Sequence, residues 1–209
     1  MKVINASYII DCPESPIDML RRLERYARKC YQSEDKITDI SYVTMIKKVM
    51  AKGHLSVLDH AFVSVVFIMN RGISHELVRH RIGGYSQEST RWCSYNKDKF
   101  GGEISFIPNL DGLTEVQIQR RLNFYKQVED LYLTELSEGI KPQQARDNLV
   151  ICLKTEIVAT YDLTEWRNVF SKRTALDAHP QMRELMVPLL QDFKDLIPIV
   201  FDDIGGNSD

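Results

Sequence analysis

The apolar positions of this chain fall into two periods, one close to two residues and one close to 3.6, and they divide it into strands and helices. Residues 3–10, Val-Ile-Asn-Ala-Ser-Tyr-Ile-Ile, are β-branched and aromatic enough for a first strand, closed by Pro13 and Pro16. Over 17–31, Met19, Leu20, Leu23, Tyr26 and Ala27 recur at helical spacing behind Ser15-Pro16, a helix start. A second helix is predicted over 42–51, stopping at Gly53, and the Val- and Phe-rich run 61–69 reads as a buried strand. Residues 73–81 then read as a short helix and 103–107 as a short strand ending at Pro108. A long amphipathic helix is predicted over 114–138, with Val116, Leu122, Tyr125, Val128, Tyr132 and Leu136 near one stripe suited to core and subunit packing, and Gly139 ends it. Pro142 opens a further helix on which Ala145, Leu149, Cys152, Leu153 and Ile157 face inward. A short helix over 163–172 leads to Arg173, His179-Pro180 opens a last helix through Leu196, and the tail 202–209 is expected to be mobile.

No internal repeat or low-complexity linker interrupts these elements, so the expectation is one domain over 1–209. Its class is α+β, with a central antiparallel or mixed sheet flanked by helices and oligomerising through helices. The composition, 44% hydrophobic and 27% charged, is enough for one well-buried core in 209 residues. A net charge of -2 argues against a generic nucleic-acid coat. Cys12, Cys30, Cys93 and Cys152 are too scattered for a zinc knuckle or redox pair, which suits reduced thiols in a cytoplasm. No signal peptide is visible, and no apolar run approaches the roughly 18 residues of a membrane span.

The positive charge is concentrated instead: residues 71–91 hold four arginines against two glutamates. Within that segment, 79–91 reads Arg-His-Arg-Ile-Gly-Gly-Tyr-Ser-Gln-Glu-Ser-Thr-Arg. Successive helical residues point about 100° apart, so Arg79, His80 and Arg81 fan around a helix end and can grip several anionic groups. Gly83 and Gly84 let the backbone turn and approach a ligand, while Ser89 and Arg91 add a hydroxyl and a planar fork suited to phosphate. Ordinary capping of a helix C-terminus by cations is the other reading of Arg79-His80-Arg81. His75 and His80, five residues apart, lie roughly 140° apart on a regular helix and cannot share a metal, so no metal site is expected.

Arg-His-Arg, seven residues, then Ser, within Tyr-Ser-Gln-x-Ser-x-Arg, resembles the signature of the flavin-dependent thymidylate synthases. The resemblance runs more weakly from Gly53-His54 to Arg173. It implies a methyltransferase that moves a one-carbon unit from methylenetetrahydrofolate to C5 of dUMP, with FAD as hydride carrier and NADPH as reductant. It implies FAD contacts at His54 and Ser56 of the Gly-His-x-Ser segment, and at Arg79, His80, Arg81, Gln87 and Asn168. For dUMP it implies Glu76, Arg79, Gln87, Glu88, Ser89, Thr90, Arg91, Arg146 and Arg173. Arg146, after Pro142-Gln143-Gln144-Ala145, is matched to the nucleotide phosphate. Arg173 is matched to the catalytic arginine that holds the pyrimidine and favours its N3-deprotonated form. Ser89 is then a ligand and no cysteine is a nucleophile. The chain departs from the family pattern at Gly84, often Ser, and at Asp162 and Thr164, often Asn and Arg toward the adenosine half of FAD; His179 is left unassigned. The resemblance also implies a homotetramer with shared sites; from charge and hydropathy no nucleic-acid or membrane partner is expected.

Two other readings remain open. Tyr85, Arg91, Trp92, Tyr95 and Lys97 interleave basic and aromatic groups as a non-catalytic single-strand nucleic-acid binder does. Another flavin oxidoreductase on the same scaffold would keep the cofactor and change the chemistry.

Overall fold

The computed structural model describes residues 1–97 and 101–205. Strands β1 (Lys2–Val3) and β2 (Ser7–Asp11) replace the single strand expected over 3–10. The break has a pairing cause: β1 runs parallel with β5 (Ser105–Phe106), whereas β2 is the edge of a separate four-stranded sheet. Helices α1 (Pro16–Lys29) and α2 (Ser41–Ala51) follow, the first capped by Ser15, whose hydroxyl accepts from the Asp18 amide. A 3-10 turn (Leu55–His60) leads into β3 (Phe62–Asn70), and β3 passes directly into α3 (Arg71–Leu77).

Two expectations are corrected downstream. Helix α3 ends before Arg79, so the Arg-His-Arg triplet lies in turns beyond the helix, and Gly84–Gln87 forms strand β4 where no regular period was read. Helix α5 (Pro142–Ala145) is a single turn followed by a 3-10 turn (Arg146–Asn148), and the expected helical face at Cys152, Leu153 and Ile157 gives way to strand β6 (Lys154–Asp162). Thr155, Ile157, Ala159 and Tyr161 alternate buried along β6, the period of two that marks a half-covered strand.

The long helix α4 (Glu115–Ser137) carries a capping box in which Thr114 and Gln117 satisfy each other's backbone amides. Helix α6 (Leu163–Arg173) and helix α7 (Pro180–Leu196) complete the chain. The larger sheet is antiparallel, in the order β2-β3-β6-β4, and with the helices makes an α+β fold.

The chain divides into two compact units. The first comprises Met1–Ser7, Phe67–Arg79 and Ser86–Ile157. Its core gathers Tyr95, Ile104, Phe106, Tyr125, Val128, Tyr132, Ala145 and Leu153. On α4 only part of the predicted stripe is buried, because Val116 in the first turn is 70% exposed. The second unit comprises Tyr8–Val66, His80–Tyr85 and Val158–Asp209. Its centre is an aromatic cluster in which Trp166 meets Tyr161 edge-on at 4.8 Å and stacks on Phe170 at 5.4 Å, with Phe193 packed on both Trp166 and Phe170. In the expected tail, Arg167 grips Asp203 with two hydrogen bonds of 2.6 and 2.7 Å and Ile204 is buried; 206–209 lie outside the described residues. No helix among the described residues is long and apolar enough to cross a membrane.

Candidate active site

In the first unit the site begins where β3 becomes α3. Asn70 caps α3 by accepting from the Ile73 amide at 2.9 Å and donates its own amide to the Ile107 carbonyl at 3.0 Å. Arg71, next in sequence, donates from Nη2 to the Glu88 carbonyl at 2.8 Å, while its buried Nε has no protein partner among the described residues. The Gln87 amide nitrogen donates to Ser74 Oγ at 2.8 Å and to Thr155 Oγ1 at 3.2 Å, which locks the end of β4 between α3 and β6.

Glu88 is held more tightly still. Its carboxylate, 8% exposed, accepts from the Tyr95 hydroxyl at 2.8 Å, from Lys154 Nζ at 3.1 Å and from the Glu156 amide at 3.2 Å. Burial and that carboxylate push the Tyr95 phenol far up. Beyond Glu88 the chain turns, with the Ser89 carbonyl accepting from the Trp92 and Cys93 amides. Thr90 lines a cavity of about 260 Å³ together with Arg71, His75, Arg146 and Asp147. Arg146 reaches it from the end of α5, and Arg91 stands over the Trp92 ring at 5.1 Å.

In the second unit several candidate groups are tied to the start of α6. Asp162 caps the helix by accepting from the Glu165 amide at 2.7 Å. Thr164 donates to Asp59 Oδ1, 2.6 Å away, and also meets the Leu55 carbonyl at 3.2 Å, which fixes the 3-10 turn bearing Ser56. Asn168 donates to both oxygens of Glu165. His54 faces solvent, its Nδ1 3.3 Å from the Tyr31 hydroxyl.

His80 is the buried member of the Arg-His-Arg triplet, and both of its ring nitrogens are used. Nδ1 lies 3.3 Å from Glu165 Oε1, and Nε2 is 2.9 Å from Arg173 Nε. A guanidinium nitrogen only donates, so Nε2 must accept, the ring is neutral, and its proton sits on Nδ1 facing Glu165. The His80 carbonyl accepts from Tyr85, whose hydroxyl also bonds Tyr161. Gly83 completes the turn; a Cβ there would lie 2.3 Å from the Tyr161 ring.

Burial first, then the charges of Arg173 and Lys172, pull the His80 pKa from 6.5 to about 4. Below pH about 6.5 the unfolded chain takes up this proton while the folded chain refuses it until about 4. Stability should therefore fall as pH drops through that window and level off below it. Burial moves Glu165 the other way, up from 4.5, so its protonation in the folded state partly offsets the loss at the acid end. Urea midpoints measured from pH 7 down to about 4.5 should trace the decline, and a His80→Gln variant should lose the His80 part of the slope.

Sequence comparison places these residues in context. The model of a family described as thymidylate synthase complementing protein matches residues 16–199. The flavin-dependent thymidylate synthase of Geobacter sulfurreducens is 31% identical over 186 residues, covering 86% of this chain and 79% of that protein. The chain belongs to the flavin-dependent thymidylate synthase family.

A second flavin-dependent thymidylate synthase, from Saccharolobus solfataricus, is 28% identical over 93% of the chain and 73% of that protein. The fold matches the crystal structure of a UMP/dUMP methylase, PolB, from Streptomyces cacaoi bound with 5-Br dUMP, with a TM-score of 0.77, 18% identity, and coverage of 97% of this chain and 96% of that one.

Within this flavin-dependent thymidylate synthase chain, the residues expected at dUMP fall largely in the first unit: Glu76, Arg79, Gln87, Glu88, Ser89, Thr90, Arg91 and Arg146. Of these, Thr90 and Arg146 are brought to one cavity, and the side chains of Gln87 and Glu88 are committed to internal partners. His54, Ser56, His80, Arg81, Asn168 and Arg173 fall in the second unit. Arg21, Arg22, Arg28 and Arg167 pair with carboxylates. Arg79, Arg81, Arg91 and Arg146 are exposed and, among the described residues, make no such pair. That donor set suits a cofactor with a pyrophosphate and a substrate with a phosphate. The departures at Asp162 and Thr164 serve the fold, one as helix cap and one as the tie to Asp59. No group of three or more His, Cys, Asp or Glu side chains among the described residues could hold a metal ion.

Sequence reasoning missed Arg71 and Glu165. Arg71 follows the apolar run of β3 directly, and Asp162-Leu-Thr-Glu165 carries the spacing of a helix start, which hides Glu165 as an ordinary first-turn acid.

Proposed function

We propose that this protein makes dTMP from dUMP, with methylenetetrahydrofolate as the one-carbon donor, FAD as hydride carrier and NADPH as reductant. The observation that carries this reading is the 260 Å³ cavity of the first unit, where Thr90 and Arg146 stand beside Arg71 and His75. Three cationic or protonatable groups against one acid, Asp147, make a phosphate seat. Arg146 and Arg71 would hold the dUMP phosphate there, with Thr90 donating a hydroxyl. Arg79 and Arg91, exposed and unpaired with acids among the described residues, would extend the anion grip. Ser89 and Gln87 shape the loop against the sugar and base, and Glu76 supports the same face.

Arg173 would sit against the pyrimidine and stabilise negative charge on N3 and its neighbouring carbonyl, which raises the nucleophilicity of C5. FAD would be held by His54, Ser56, Arg79, Arg81 and Asn168, with His80 and Gln87 acting from inside the protein. When bound, it supplies hydride transfer. None of the four cysteines is needed as a nucleophile. Burial pushes the Cys152 thiol up, away from the reactive thiolate.

The same reading makes the enzyme a homotetramer in the cytoplasm, with no nucleic-acid or membrane partner. What supports assembly is the exposed apolar series Val116, Phe124 and Leu131 on α4, which falls within about 80° around the helix.

The deciding experiment is the visible spectrum of the purified protein before and after dUMP, followed by an assay for dTMP with methylenetetrahydrofolate and NADPH. A flavin band perturbed by dUMP, with dTMP formed, is expected. A protein that takes up no FAD, or that holds FAD and forms no dTMP, would overturn the reading.

A further inference from the structure

We infer that His80 is a positioning residue for Arg173, held in one tautomer by Glu165, so that the Arg-His-Arg triplet aims the catalytic arginine as well as meeting the cofactor. The inference rests on the role proposed for Arg173 above.

The geometry is a chain of three side chains from two segments far apart in sequence. Glu165 stands in the first turn of α6 and Arg173 is its last residue, so α6 itself spaces the two ends. His80 bridges them, with Nδ1 toward Glu165 and Nε2 toward Arg173. Its side chain is 4% exposed, so water cannot replace either partner. Asn168 donates to both oxygens of Glu165, which orients the carboxylate. Tyr85 and Tyr161 hold the His80 backbone from the other side. Glu165 and His80 are therefore each fixed by a second contact.

An arginine side chain has four rotatable bonds, and a bond to Nε fixes the plane of its guanidinium. Donation from Nε to His80 therefore holds the guanidinium in a set orientation. A charge fixed before reaction needs no reorganisation in the transition state, which is where an electrostatic group gains its effect. A neutral imidazole is the right acceptor for this purpose. A carboxylate in its place would cancel the positive charge that the pyrimidine needs.

Among the described residues, the charged and titratable groups that meet or act on His80 are Glu165, Arg173 and Lys172 from α6 and, at its carbonyl, Tyr85 from β4. Among them only Arg173 meets Nε2 as a donor.

Two variants separate positioning from cofactor binding. His80→Asn keeps a donor near Glu165 and removes the acceptor for Arg173. His80→Gln places a carbonyl oxygen where Nε2 stood. In the flavin-loaded protein, His80→Asn should lower kcat about 100-fold, with KM for dUMP changed less than about threefold and the flavin retained. His80→Gln should recover kcat to within about 10-fold of the parent. Imidazole 15N spectra of the parent protein, with His80 assigned by its absence from the Gln variant, should show Nδ1 protonated and Nε2 bare at neutral pH.

A His80→Asn protein with parental kcat would overturn the inference, as would equal losses in both variants or a loss that tracks departure of the flavin. An imidazolium, or a proton on Nε2, would overturn it even if the Asn variant does not fold. A parent protein that forms no dTMP would sink the proposed function instead, and the 15N spectrum would still decide the tautomer.

Discussion

Arg173→Ala is expected to lower dTMP formation by about 10² to 10³ while leaving the flavin spectrum in place. The guanidinium sits at the C-terminal end of α6, where the helix carbonyls favour a cation, and His80 fixes its Nε at 2.9 Å. Alanine removes a charge that acts on the reacting ring and leaves the cofactor contacts proposed for His54, Ser56 and Arg81 untouched. The loss should therefore fall on kcat more than on FAD retention. Arg173→Lys keeps the charge and discards the planar fork and its Nε donor, so it should sit between alanine and the parent. Steady-state rates with dUMP, methylenetetrahydrofolate and NADPH, read beside the visible spectrum of each variant, measure the effect. A turnover number for the alanine variant near that of the parent would remove Arg173 from the chemistry.

The largest loss of stability is expected at Trp166. Its side chain is fully buried between Tyr161, Phe170 and Phe193, and its indole N–H donates to the Val63 carbonyl at 2.9 Å. Trp166→Ala opens a large cavity and strands that carbonyl, costing about 3–5 kcal/mol. In a chain of this size that corresponds to a fall in Tm on the order of 10 °C. Trp166→Phe fills most of the space and gives up the single hydrogen bond, so its cost should be nearer 1 kcal/mol. Because α6 carries Glu165, Asn168 and Arg173, the alanine variant should lose flavin and stability together. Differential scanning calorimetry beside flavin absorbance tests this; an unchanged Tm for the alanine variant would contradict the packing.

Much of the architecture is legible in the chain because helices announce themselves through a period and a stop. Ser15-Pro16, Thr114 with Gln117, and Gly139 at φ +88° each mark a boundary that local chemistry enforces. Strands were harder to read. Gly84-Tyr-Ser-Gln87 has no β-branched residue to declare β4, and it becomes a strand through pairing with β6. In 154–162 the run Lys-Thr-Glu-Ile-Val-Ala-Thr-Tyr-Asp alternates, yet Leu149, Leu153 and Ile157 also fit a spacing of four, and the wrong period prevailed. The site divides along the same line. Its cations stand out as a cluster in 79–91, whereas the contact of His80 with Arg173 joins positions 93 apart and leaves no local trace. The commitment of Glu88 to Tyr95, Lys154 and a backbone amide is equally invisible in a motif that shows only residue types.

The two adjacent glycines of the triplet's turn differ in how much change they permit. At Gly83 a methyl group would collide with the face of Tyr161, a rigid ring that itself anchors Tyr85. At Gly84 the nearest atom to an added Cβ is Thr160 Cβ at 3.8 Å, an ordinary contact. A library randomised at both codons and sorted for flavin retention would thus return glycine almost alone at the first and a range of small side chains at the second. Neutral variation should accordingly be tolerated at Gly84 and stop one residue earlier, at Gly83.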